Sequence, residues 1–119
     1  MRTILYKVRD ILCYESNFFT DVERCILIDM INKSLDRNPM YWRTPFIYTK
    51  GDYHKMGFRD DLFDKLISKL IEFDLVTRSS LPYMSAWVYT YLFHVRRLLE
   101  VCEKNKSVFS QKKPLTFQN

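Results

Sequence analysis

The stretch Gly57–Val76, GFRDDLFDKLISKLIEFDLV, decides how the chain is read. Apolar residues return at Leu62, Phe63, Leu66, Ile67, Leu70 and Phe73, the spacing of one buried face of an α-helix. Gly57 closes whatever precedes it and Phe58 plugs the turn. At the far end Asp74 tolerates left-handed backbone, so the helix is expected to stop there and the apolar pair Leu75-Val76 to begin an extended segment. The order is therefore turn, helix, stop, strand.

Working back from Gly57, Thr49-Lys50-Gly51-Asp52 is a cap signature that opens a short helix through Tyr53 to Met56. Between residues 36 and 47, Pro39 and Pro45 flank Tyr41-Trp42, which predicts a loop or a short strand. Thr20-Asp21-Val22-Glu23 reads as a capping box, in which threonine and glutamate satisfy each other's unpaired amides, so a helix is expected from there to about Leu35. Its apolar residues, including Val22, Cys25, Ile26, Ile28, Met30 and Ile31, surround more than one face, as in a central core helix. Arg2 to Tyr14 places Ile4, Leu5, Val8, Ile11 and Leu12 on one side, which fits an amphipathic helix.

Downstream of Val76 two periods fit. With period two, Leu75–Arg78 and Ala86–Leu92 make a β-hairpin whose loop holds Ser79, Ser80 and Pro82. With period 3.6, Met84, Trp87, Val88, Tyr91, Leu92, Val95, Leu98, Leu99 and Cys102 form one helical stripe with Pro82 in its first turn. Both readings place a helix over Tyr91 to Glu103. Residues 105–119 carry Lys106, Lys112, Lys113 and Pro114 with few core-forming residues, and are expected to form a flexible basic arm beside a single domain of residues 1–104.

Composition narrows the function classes. A chain of 119 residues, 47% hydrophobic, supports one domain with a real core. A net charge of +5 favours a polyanionic partner, because phosphate neutralisation releases counterions. Cys13, Cys25 and Cys102 are odd in number and widely spaced, which argues against a disulfide framework and for a reducing cytoplasm. No apolar run approaches the roughly 20 residues of a membrane span. His54, His94 and the cysteines show no metal-ligand spacing, Gly51 and Gly57 cannot build a phosphate cradle, and no nucleophile elbow is present. No enzyme, cofactor, metal or small-molecule substrate is expected, and Asp60, Asp61 and Asp64 read as first-turn acids that complement a helix dipole.

The succession of core helix, short helix, glycine turn, striped helix and exit strand resembles the winged helix-turn-helix DNA-binding domains over about Thr20 to Leu92. Within that class the spacing is most similar to small replication or transcription regulators of plasmids and phages. The resemblance implies a mainly α fold, α+β if the wing forms, with additional N- and C-terminal helices. It implies a sequence-specific regulator that binds double-stranded DNA by occupancy. Carried over by position, Arg59, Asp60, Asp61, Asp64, Lys65, Ser68 and Lys69 face the partner, Tyr53, His54 and Lys55 flank the site, and Arg78 lies at the wing. Asp74 stands where that class usually has glycine.

Charge complicates the expectation. Across Gly57–Phe73, Arg59, Lys65 and Lys69 meet Asp60, Asp61, Asp64 and Glu72, a net −1, whereas residues 94–113 carry +4 and residues 36–55 carry +2. Either the flanks grip phosphate while the helix reads bases, or the helix meets a protein such as a polymerase, replication factor or another regulator. The stripes Ile4, Leu5, Val8, Ile11 and Leu92, Val95, Leu98, Leu99 lie outside the three-helix core and predict a homodimer through the first and last helices, the alternative being that the two stripes pack on each other within one chain.

Overall fold

The computed structural model describes residues 2–106. Helices α1 (Arg2–Leu12) and α2 (Asp21–Leu35) are followed by a 3-10 turn, Pro39–Tyr41, and the short strand β1 (Phe46–Ile47). Helices α3 (Lys50–His54) and α4 (Asp60–Glu72) precede the strands β2 (Val76–Tyr83) and β3 (Ala86–Phe93), and α5 (Val95–Asn105) completes the order. The architecture is α+β: helices packed with one three-stranded antiparallel sheet in the order β1-β3-β2.

The caps read from the sequence are made. Thr20 Oγ1 accepts from the Glu23 amide at 3.1 Å while Glu23 Oε1 accepts from the Thr20 amide at 2.9 Å, so α2 begins where the box predicts. At the start of α3, Asp52 Oδ2 accepts from the Thr49 amide at 2.8 Å, while the Asp52 amide donates to the Thr49 carbonyl at 3.0 Å. Gly57 has φ 86, a left-handed conformation that glycine adopts without steric cost. Asp74 has φ 58 at the end of α4. There the Leu75 amide returns to the Leu70 carbonyl at 2.8 Å and the Asp74 amide to Ile71 at 3.0 Å, a Schellman ending. Leu70 and Leu75, the apolar partners of that motif, are both fully buried.

The core gathers Ile26, Leu27, Met30 and Ile31 from α2 against Phe63, Leu66, Ile67 and Leu70 from α4, with Val76, Tyr91 and Phe93 of the sheet. Each such side chain contributes about 1.5–3 kcal/mol on burial. Phe73, expected on the same stripe, is instead partly exposed and packs edge-on against Phe18 at 4.8 Å between centroids.

Beyond Val76 the chain adopts the hairpin, but Ser79, Ser80 and Pro82, expected in its loop, are paired within β2. Val76 pairs with Phe93 and Tyr83 with Ala86 across a two-residue turn, Met84-Ser85. The helix expected to begin at Tyr91 begins at Val95: Tyr91 lies opposite both Arg78 and Phe46, and Leu92 and Phe93 continue the strand. The reason is tertiary. β1 adds to the far side of β3 and makes it the central strand, which buries Thr90, Tyr91 and Phe93 as only an extended conformation can.

The apolar faces of α1 and α5 pack on each other within one chain, burying Leu5, Val8 and Leu12 against Leu98 and Cys102. Of the two stripes expected to join copies, Leu5, Val8 and Leu98 are buried within the chain, and Ile4, Ile11, Leu92, Val95 and Leu99 stay half-buried. Cys102 is buried, which pushes its thiol up to about 12, whereas Cys13 and Cys25 are half-buried; all three are free. Of the arm expected over residues 105–119, residues 107–119 lie outside the described residues. Asn105 ends α5 and its carbonyl accepts from the Asn17 amide at 2.7 Å, while Lys106 bridges to Ser16. No helix among the described residues is long and apolar enough to cross a membrane.

Candidate nucleic-acid interface

Helix α4 turns Phe63, Leu66, Ile67 and Leu70 inward, and this leaves Asp61, Asp64, Lys65, Ser68 and Glu72 on its exposed side. Around its first turn the sequence-predicted residues are tied to one another. Asp60 Oδ1 accepts from the Tyr53 hydroxyl at 2.8 Å and from His54 Nε2 at 2.7 Å, and Lys50 Nζ stands 3.4 Å from Oδ2. The Tyr53 hydroxyl first, then His54 and Lys50, hold the Asp60 carboxyl below the usual carboxylate range. Arg59 grips Asp61 with two hydrogen bonds of 3.1 Å each.

Two expected contact residues do not face outward. Tyr53 is buried, its ring stacked on Phe63 at 4.4 Å and facing Tyr48 at 6.4 Å; burial and then the Asp60 carboxylate push its hydroxyl upward. It serves as a wall and as an anchor for Asp60. Lys69 turns back toward α2: its Nζ donates to Glu23 Oε1 at 2.7 Å and to the Phe18 carbonyl at 2.8 Å, above the rings of Phe18 and Phe19. Position on the helix misled here, because Lys69 lies a full turn from Lys65 at the boundary of the buried stripe, where its stem can follow the apolar surface inward.

Burial pushes the Glu23 carboxyl up, but hydrogen bonds from Lys69 and the Thr20 amide outweigh it and leave the group below its ordinary value. Glu23 Oε2 has no protein partner. This pair joins α2 to α4 and is structural.

Between the α3–α4 region and the inner face of the hairpin lies an open cleft of about 410 Å³. Tyr53, Phe63 and Tyr91 form part of its wall, with Lys50, Asp64 and Arg78 lining it. Arg78 lies over the Tyr89 ring at 4.6 Å, and Trp87 lines the same cleft. Lys50, Trp87 and Tyr89 were missed as site residues. The signal for the last two was the alternation Trp87, Tyr89, Tyr91, Phe93, which is legible once period two is chosen; Lys50 reads in the sequence only as part of a helix start.

The base of the hairpin is locked to the end of α4. His94 Nδ1 lies 2.8 Å from the Asp74 carbonyl and therefore donates, while Nε2 lies 2.6 Å from the Thr77 hydroxyl. Arg97 Nε donates to the Phe73 carbonyl at 2.9 Å, which satisfies an exposed acceptor at the helix terminus.

The charge of this face depends on its limits. Along the exposed side of α4 alone, Lys65 stands against Asp61, Asp64 and Glu72, a net −2. Around the first turn and the cleft, Lys50, Lys55, Arg59, Lys65 and Arg78 stand against Asp60, Asp61 and Asp64, a net +2. Among the described residues, no group of three His, Cys, Asp or Glu side chains is placed to hold a metal ion.

No family model matches the chain, and neither a curated protein nor a solved structure matches it.

Proposed function

We propose that the chain is a winged helix-turn-helix domain, with α3 and α4 as the helix pair and β2–β3 as the wing, and that it binds duplex DNA as a regulator of transcription or replication by occupancy. The observation that carries this reading is the order α2-β1-α3-α4-β2-β3 with five cations, Lys50, Lys55, Arg59, Lys65 and Arg78, around the α4 N-terminus and the adjoining cleft. Lys50, Lys55 and Arg78 contact phosphate in this reading, and Lys65 and Ser68 approach base edges. Pairing of Asp60 with His54 and Lys50, and of Asp61 with Arg59, relieves the repulsion that two carboxylates would otherwise exert on the backbone. Asp64 is left as the acid able to accept from the cytosine amino group. The reading includes a cytoplasmic location, on the strength of three free thiols.

A titration against random duplex at two salt concentrations tests it. Binding is expected to fall steeply with salt, Lys65→Ala to weaken it, and Asp64→Asn to raise non-specific affinity or, if Asp64 reads a cytosine, to cost about 1–3 kcal/mol only at sites with that base. A flat salt response sinks the proposal.

One observation favours a second reading, a protein-docking domain of the same fold: the exposed side of α4, with Asp61, Asp64 and Glu72, suits a basic protein surface. In that case Asp64→Asn leaves duplex binding untouched and slows association with the basic partner.

A further inference from the structure

One face of the hairpin runs from the core out into solvent. Arg78, Ser80 and Pro82 of β2 lie opposite Tyr91, Tyr89 and Trp87 of β3, so the pleat places all six on the same side. At the base Tyr91 is 1% exposed and stands edge to face with Phe63 at 6.1 Å between centroids. Two residues on, Tyr89 is 53% exposed, and Trp87 beyond it is 74%. The aromatic row that closes the core thus continues past it, and large rings left in water mark a binding surface.

The chemistry of the row is not that of a phosphate grip. From Ser79 to Phe93 the chain has no charged residue, so the outer part of the wing offers ring faces alone. Charge lies at its inner end, where Lys50, Arg78 and Asp64 line the cleft with a net +1, and Arg78 lies over the Tyr89 ring at 4.6 Å. Lys50 is 74% exposed along its side chain, and water screens its 3.4 Å pairing with Asp60, so it is free to turn to a phosphate. A closed duplex presents phosphates and base edges, whereas base faces are open only where a strand is unpaired. Aromatic rings that step outward from two cations match an unpaired strand, because every base has a face to stack and cations follow the backbone.

We propose that this cleft takes an unpaired base of the bound DNA, stacked on Trp87 and Tyr89, with the adjoining phosphate on Lys50 and Arg78. The proposal rests on the preceding reading that the partner is DNA, and adds that the chain prefers a duplex bordered by a single strand to a closed one. Size and spacing agree with it. The cleft of about 410 Å³ falls within the range of small-ligand sites, about 300–1,000 Å³. Alternate residues of a strand stand about 6.8 Å apart, twice the roughly 3.4 Å step of stacked bases, so the spacing of Trp87 and Tyr89 leaves room for the thickness of one base between them. A proline-rich or apolar peptide would use the rings and leave Lys50 and Arg78 unmatched.

Anisotropy titrations of the full chain at one salt concentration test the proposal with a closed duplex, the same duplex with an oligothymidine extension of about 10 nucleotides, and that duplex with an abasic extension of equal length. The oligothymidine extension should raise affinity at least about fivefold over the closed duplex, and the abasic one, which keeps the phosphates but has no base to stack, should give little of that gain. Trp87→Ala and Tyr89→Ala, at exposed positions, should each lower the ratio of extended to closed affinity with melting temperature retained, and Trp87→Phe should restore it. Tyr83→Ala, on the other face of the hairpin, should leave the ratio alone. Equal affinity for all three probes overturns the proposal and leaves the duplex reading intact. So does an abasic extension as effective as oligothymidine, or a loss in Tyr83→Ala equal to that in Trp87→Ala. Binding to oligothymidine with none to closed duplex sinks the duplex reading and upholds this one, and binding to no probe removes both.

Discussion

Replacing Lys69 by alanine separates a structural cation from a contact cation. Glu23 is 3% exposed, and its Oε1 takes Lys69 Nζ at 2.7 Å together with the Thr20 amide, while Oε2 has no protein partner. Without Lys69 the carboxylate is left buried and unpaired, and the Phe18 carbonyl loses its donor as well. Breaking a buried pair typically costs about 3–5 kcal/mol. Lys69 is 23% exposed, so water partly compensates and the expected loss is about 2–3 kcal/mol. For a domain of this length that corresponds to a melting temperature lower by about 10 °C. Urea and thermal melts at pH 7 read this directly, with Lys65→Ala as the control, expected to stay within about 0.5 kcal/mol. The pH dependence has a definite sign. The Glu23 carboxyl is held below its ordinary value in the folded chain, so its contribution is complete above the unfolded-state range near 4.5 and is lost as pH falls through the lower folded value. The gap between wild type and Lys69→Ala should therefore be full at neutral pH and narrow in acid. A loss under about 0.5 kcal/mol at pH 7, or a gap that does not change on acidification, refutes the reasoning and returns Lys69 to the outward face.

Gly57→Ala meets no atom within 4 Å of the new Cβ, so its cost should be backbone strain alone, about 1–2 kcal/mol at φ 86, measured by urea melts; a neutral change would show that the turn relaxes. Arg78→Ala should weaken duplex binding evenly across sequences and lower the salt slope by about 1, with stability nearly unchanged. A large drop in melting temperature with no change in binding would instead make its contact with Tyr89 structural. Tyr53→Phe removes the main hydrogen bond that holds the Asp60 carboxyl low, so that group should titrate at higher pH by carboxylate NMR; an unmoved titration would assign the effect to His54 and Lys50.

The local devices of this chain were legible without coordinates. Thr20 and Glu23, Thr49 and Asp52, Gly57 and Asp74 each act on backbone within a few residues, and each caps or turns the chain where its chemistry predicts. The inward stripe of α4 was legible for the same reason, since Phe63, Leu66, Ile67 and Leu70 share a face whatever they pack against. Tertiary structure decided the rest. Residues 86–93 satisfy either period, and the outcome turned on β1, far away in sequence, offering β3 a second set of hydrogen-bond partners. The α1 and α5 stripes were visible, but a stripe does not name what covers it, and here each covers part of the other. Within the candidate site, Lys65 and Lys69 look equivalent as letters on one helix. They differ because Lys69 stands beside the buried Glu23 of α2, and a charge is placed by the field of its neighbours in space, which spacing along the chain does not carry.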